Sequence, residues 1–406
     1  MMKKTWIVAI LMLTFAPCFA QSDSLKVTNY SFIVRDSPSQ FFSMRQLDQN
    51  YLSGYRLLTR QLYSITGHDL TAYLLQVGIQ ALFLRPITHE EAHRSILGAY
   101  DIGSISSPFT GDVNGVTDLT LMNLRDHALP TFIRLHTAGL ESDYMLTRQL
   151  EQIASFEHDD FKNYMIEYWL RQIAMVQYYA LGLFKYDPEL VEDKNELKRD
   201  IAGFDTYGAA RHLFRPAMPF FRYTDYADLT LEERKFINRL GYRSFLNLLN
   251  PLIIGKSNFR LNANTSFNAG MGYSMSPFGD FMDENVWIKH KSLNLGIYVR
   301  QFQNKANWFN GFGISLIDFH PFNRLSANFT GHYWQQPINF DFNTSKSFSG
   351  GAFDADLRYL FLKKRIGVLN GVSIDLGFLY KTKGFLPEET RMDEHVGFRF
   401  GTTIQM

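Results

Sequence analysis

Phe259-Arg260-Leu261-Asn262-Ala263-Asn264-Thr265-Ser266-Phe267-Asn268-Ala269-Gly270-Met271-Gly272-Tyr273-Ser274 alternates without a break. Phe259, Leu261, Ala263, Thr265, Phe267, Ala269, Met271 and Tyr273 share one side, and the polar or small residues between them share the other. A period of two predicts a strand with one apolar and one polar face. The pattern returns in Leu293-Leu295-Ile297-Val299, Phe312-Ile314-Leu316 and Leu325-Ala327-Phe329 with Tyr333. It returns again in Phe353-Ala355-Leu357-Tyr359-Phe361, Val372-Ile374-Leu376-Phe378-Tyr380 and Val396-Phe398-Phe400. A weaker segment, Ile338, Phe340 and Phe342 alternating with Asn339, Asp341 and Asn343, brings the number to eight. Closed bacterial barrels of one chain have an even number.

A soluble β-sandwich also alternates. Two features favour a membrane barrel: the segments are long enough for a tilted bilayer span, and their polar face carries Asn, Asp and Arg, as a lumen does. Eight strands enclose a lumen that side chains fill. Arg260, Arg324, Asp354, Asp356, Arg358, Asp375 and Arg399 are placed to pair there, which suits an anchor better than a pore. The longer connections near 275–285 and 384–394 are expected at one end, and the C-terminus at the other, the periplasmic side in such proteins.

Composition agrees. The chain has 406 residues, enough for two domains. Lys+Arg 41 against Asp+Glu 40 is nearly balanced, so nucleic acid is not an implied partner. Mean hydropathy is −0.17, too polar for a bundle of membrane helices, yet 15% of residues are aromatic. A barrel resolves that tension, because only alternate residues face lipid. Residues 1–20 read as an export signal: Lys3 and Lys4, an apolar run from Trp6 to Phe15, and small residues around Cys18-Phe19-Ala20 before Gln21. Cys18 is the single cysteine, so the mature chain is expected to lack disulfides and thiol chemistry.

Residues 21–256 show mostly helical periodicity, with one possible strand over Leu25–Val34. Asp69–Leu84 is an apolar helix predicted to end at Pro86. Phe161–Phe184 is long and apolar, but Glu167 and Arg171 at i, i+4 mark it as a buried soluble helix. Thr230-Leu231-Glu232-Glu233 is a capping box opening a helix that runs to about Leu249. The charged stretch 185–200 reads as a solvated connector or helix face.

His89-Glu90-Glu91-Ala92-His93 is the chemical motif. On a helix it sets two imidazoles one turn apart on one face, able to clamp zinc, with Glu90 beside them as general base. Thr88-His89-Glu90-Glu91 also fits a capping box, on which reading the motif is a helix start after Pro86. A third ligand separates the two. Glu141, in Thr137-Ala138-Gly139-Leu140-Glu141-Ser142-Asp143-Tyr144, could complete a His-His-Glu set; His127 and His136 are weaker substitutes.

Over about residues 69–155 this arrangement resembles the gluzincin metallopeptidases, which bind one zinc through HExxH and a downstream helical Glu. The resemblance implies Zn2+ held by His89, His93 and Glu141, with Glu90 activating water. The chain departs from the family pattern in placing Asp143 two positions after Glu141, where members often have an acidic residue four on. It also carries charged Glu91 and Arg94 around the histidines. An oxyanion formed at a peptide carbonyl would need a further donor, and His212 is one candidate.

The expectation is therefore an α+β chain: a signal peptide over 1–20, a helical metallopeptidase-like domain over 21–256, and an antiparallel transmembrane β-barrel of about eight strands over 257–406. Its expected function is zinc-dependent hydrolysis of envelope proteins or peptides at the outer membrane of a Gram-negative cell, with the catalytic domain periplasmic and lipid as the barrel's partner. The alternative is a non-enzymatic barrel with a helical plug or partner-docking domain. A third reading, a barrel that remodels lipid, would need activity from residues 257–406 alone.

Overall fold

The alternating segments pair antiparallel, neighbour to neighbour, in one sheet. In the computed structural model, residues 27–67, 69–107, 112–156, 161–188 and 192–406 are described. The expected leader and its cleavage point lie outside them. The strands are β1 (Asn29–Ser37), a small separate pair β2 (Ile105–Ser107) and β3 (Asp112–Asn114), then β4 (Phe259–Asn262), β5 (Thr265–Ser276), β6 (Gly279–His290) and β7 (Leu293–Gln303). After these come β8 (Trp308–Phe322), β9 (Leu325–Pro337), β10 (Ser347–Leu362), β11 (Gly371–Lys381) and β12 (His395–Gln405). The main sheet has ten strands in the order β1-β12-β11-β10-β9-β8-β7-β6-β5-β4. The expected eight-stranded closed barrel is thus corrected: β1 and β4 are edges and do not pair among the described residues.

Four differences explain the count, the first being β1, which comes from the mainly helical half of the chain and joins the sheet beside β12. The opening stretch is a hairpin, with Phe259 opposite Phe267 and a turn at Ala263-Asn264. A two-residue turn pairs Asn262 with Thr265 and would shift the parity by one; the bulge between Arg260 and Asn262 shifts it back, so Phe259 and Phe267 share a face and the alternation runs through unbroken. Ser276-Pro277-Phe278-Gly279 is a tight turn into β6, not a long connection. β6 escaped detection because its inward face carries Phe281 and Trp287 while Glu284 faces out. The proposed eighth strand is a 3-10 turn over Ile338–Phe340, with Asn339 and Phe340 at positive φ. Its phenylalanines turn inward, Phe342 against Phe214 and Phe340 against Phe278.

The helices are α1 (Met44–Thr66), α2 (Asp69–Ile79), a π turn (Gln80–Leu84), α3 (Arg85–Ala99), α4 (Asp118–His127), α5 (Leu129–Phe156), α6 (Met165–Ala180), α7 (Asp205–Phe214) and α8 (Leu231–Ser244). Pro86 does not end the helix as expected. The wider turn just before it makes room for a ring that would strike the carbonyl four residues back, and Arg85 N donates to Gln80 O across it. Thr88 is therefore inside a helix, its hydroxyl bonded back to Arg85 O at 3.0 Å, and is not an N-cap. The Thr230 capping box forms with both of its bonds, as does the Glu167–Arg171 pair at 2.6 Å.

The helices fill the concave side of the sheet. α5 runs the height of the strands. Near its start Arg134 donates to the carbonyls of Glu389 and Thr390 in the 382–394 connection; at its end Phe156 O accepts from Lys289 Nζ at 2.8 Å, beside the opposite rim. Midway, Tyr144 meets Asp283, which Arg300 also grips with two bonds of 2.6 Å. Arg399 pairs with Asp354 and Asp356, and Arg358 with Asp375, as expected of a lumen. Arg260 and Arg324 are exposed and stay outside that network. The opposite face of the strands is apolar and exposed: Phe312, Ile314, Phe353, Leu357, Tyr359, Leu376, Phe398 and others.

Candidate functional site

α3 places His89 and His93 on one face, with ring centroids 5.2 Å apart. That face lies on α5, and Gly139 lets it close in, since a Cβ there would overlap the His89 ring. His89 Nδ1 lies 3.2 Å from Asp143 Oδ2, and His93 Nδ1 donates to Leu135 O at 2.6 Å. Both remaining nitrogens turn to the first residue of α7. His89 Nε2 is 3.1 Å and His93 Nε2 3.7 Å from Asp205 Oδ2. One ligand atom from each of these three buried residues lies within 4.8 Å of the others.

Behind the histidines runs a buried chain of charges. Arg171 binds Asp143, donates to Thr88 Oγ1 at 3.1 Å, and pairs with Glu167. Glu167 accepts from Tyr51 Oη at 2.9 Å, and Tyr51 in turn meets Gln80 in the π turn. Burial opposes the charging of His89, but the carboxylates of Asp143 and Asp205 outweigh it and lift its pKa to about 10. Glu90, half-buried one position on, has its carboxyl pushed well above the usual range by burial, with Asp200, Asp205 and Asp112 adding to the effect against the pull of His89.

Glu141, the expected third ligand, is not brought to this site. Arg134 takes both its oxygens, at 2.5 and 3.0 Å, and Glu388 N donates to Oε1 at 2.9 Å. The reason is helical phase. Gly139 and Asp143 are four apart and share the face towards His89, whereas Glu141 points to the far side. The acidic residue two positions on is thus the one that meets a histidine. His212, the expected oxyanion donor, is also elsewhere: its ring packs edge-on to Phe132 at 4.8 Å and stacks on His136 at 5.8 Å, fully buried. Sequence reasoning missed Asp205. Its one available signal was a carboxylate opening a helix, a placement favoured by the helix dipole but common.

No family model matches the sequence, and no curated protein is similar to it. Among solved structures, the chain is similar to the crystal structure of Acinetobacter baumannii OccAB2, with a TM-score of 0.27 and 10% identity over 37% of this chain. The match spans 45% of that structure's chain, under half its length. Likeness of this extent leaves fold and function to be argued from the residues themselves.

Proposed function

We propose that the chain is an outer-membrane protein whose sheet anchors a helical core, the core occupying the space that an open pore would need. One observation carries this reading: the strands are inside out for water. Asp283, Arg300 and Arg399 are buried on the concave face, while Phe312, Leu357, Phe398 and their neighbours are exposed on the other. In water this leaves an apolar patch far larger than monomers tolerate; in lipid it is the expected sign. The test is fractionation of cells expressing the full chain. Retention in outer membranes after carbonate washing is expected; recovery in the soluble fraction would remove the proposal. The 338–346 and 382–394 connections lie at the rim where α1 and α5 begin, and the two ends of the sheet's chain path, Asn29 and Gln405, pair at the other. Longer connections of such barrels face outward. This favours a helical core opening to the cell exterior, the reverse of the periplasmic side expected from sequence, and labelling of Lys235→Cys on intact cells distinguishes the two.

The convergence of His89, His93 and Asp205 favours a second reading, a metal-dependent peptide hydrolase. The donor set suits zinc: two imidazoles and a carboxylate, each imidazole held by its other nitrogen to Asp143 or to a backbone carbonyl, as metal-ligating histidines usually are. A zinc ion bound there would acidify a water and polarise a peptide carbonyl. Glu90, next to His89, is the group able to take that water's proton and return it to the leaving amine. Metal analysis of the purified full chain tests the site. Zinc at one per chain is expected, lost in Asp205→Ala and in His93→Ala, kept in Glu141→Gln, and kept in Glu90→Gln with loss of peptide hydrolysis. Zinc no higher in wild type than in His89→Ala with His93→Ala would leave the anchored plug as the function.

A further inference from the structure

An open sheet is a problem in lipid, where unpaired backbone groups cannot be solvated. Backbone groups along β1, and along β5 above the short β4, are bonded by residues of the helical part of the chain. Along β1, the Asn50 side chain accepts from Ile33 N at 2.7 Å and donates to Ile33 O at 2.9 Å. Gln46 reaches Val34 O at 3.1 Å, and Ser53 Oγ donates to Ser31 O at 2.6 Å. All three side chains come from α1. At the other edge β4 is only four residues long. Above it, Leu249 O accepts from Met271 N at 3.1 Å, the Asn247 amide bonds both Tyr273 N and Tyr273 O, and Tyr179 Oη accepts from Met275 N.

α2 packs on the elements that meet or lead into these edges. Tyr73 and Val77 on α2, with Leu84 after the π turn, pack on one apolar cluster that unites Leu52 and Tyr55 of α1 with Leu252 and Ile253 at the approach to β4. The outward side of the segment repeats the inversion of the strands. Leu70, Leu74, Leu75, Leu82 and Phe83 are exposed, Leu74 by 54% and Leu82 by 66%. Gln76 and Gln80 are buried, bonded to Tyr55 and Tyr51. No charged residue occurs from 70 to 84. The helical run Asp69–Ala99 is long and apolar enough to cross a membrane by composition. Its exposed part, 69–84, would be about 24 Å long at 1.5 Å per residue, against an apolar barrel belt of about 25 Å. Leu58 and Ile65 of α1, Leu249 and Ile254 in the approach to β4, and Leu261 in β4 are exposed and apolar too.

We infer that α2 with its π turn is a lipid-facing wall element, covered by bilayer acyl chains, that closes the barrel where β1 and β4 leave it open. The inference rests on the membrane reading above. The test uses the full chain with Cys18→Ser, reconstituted in phospholipid nanodiscs and spin-labelled at single cysteines: Leu74→Cys on α2, Leu357→Cys on β10, and Lys235→Cys on α8. Collision with oxygen, which concentrates in lipid, is compared with collision with an aqueous nickel chelate. The oxygen-to-nickel ratio at 74 is expected to match that at 357 and to exceed that at 235 several-fold. A ratio at 74 equal to that at 235, with 357 still lipid-exposed, would overturn the inference and leave the membrane reading standing. A water-exposed 357 would overturn the membrane reading, and the inference with it.

Discussion

Gly139 is the residue on which the histidine pair most directly depends. Replacing it with Ala sets a methyl into the His89 ring. Overpacking of that kind costs about 1–3 kcal/mol, more than the ~1 kcal/mol that Ala gains over Gly in a helix. Gly139→Ala is therefore expected to lower the melting temperature and weaken zinc uptake. Gly78→Ala, whose Cβ would enter open space, should do neither. Titration of Zn2+ into both variants checks this. His212 gives a pH prediction. Burial, with Arg125 and Arg211 nearby, holds its pKa down to about 3. A depressed base binds more protons unfolded than folded, so its stabilising contribution is complete above the unfolded pKa near 6.5 and is lost as pH falls towards 3. His212→Phe should flatten the loss of stability between those values, read from melting temperature against pH. An unchanged slope would show that His212 is not held neutral.

At the scale of elements, legibility followed from how much of a pattern is local. β7 to β12 could be read because each keeps one face in one environment, and the Thr230 capping box because all its bonds fall within four residues. β6 could not, because its inward face meets helices and so carries Phe281 and Trp287 among polar neighbours. The α2–α3 junction could not either. Proline usually ends a helix, and only the π turn lets this one continue to His89. The edge contacts yield a prediction of their own. Asn247→Ala strands Tyr273 N and O at the free edge of β5, and leaving buried backbone groups unpaired costs about 1–3 kcal/mol each. Denaturant unfolding of the full chain should show that loss.

At the scale of the whole molecule, the buried charges tie sheet to core. Asp283 holds Arg300 and meets Tyr144, with Arg148 Nη1 3.9 Å away. Removing one partner of a buried pair leaves an uncompensated charge at about 3–5 kcal/mol. Asp283→Ala should thus be far more damaging than the joint change Asp283→Ala with Arg300→Met, in a double-mutant comparison of unfolding. A core that fills the sheet also predicts no steady conductance when the wild type is added to a planar lipid bilayer; reproducible open-channel steps would contradict the filled interior.

Amino-acid order alone settled what depends on neighbours along the chain: the alternating strands, the apolar helices, and two imidazoles one turn apart, since 3.6- and 2-residue periods are covalent geometry. Only the tertiary structure decided which carboxylate meets those imidazoles and how the sheet ends. Asp205 lies 116 residues from His89, and Ser31 meets Thr403 across 372. Contacts at such separations are set by the global packing of helices into the sheet, and no spacing in the sequence encodes them.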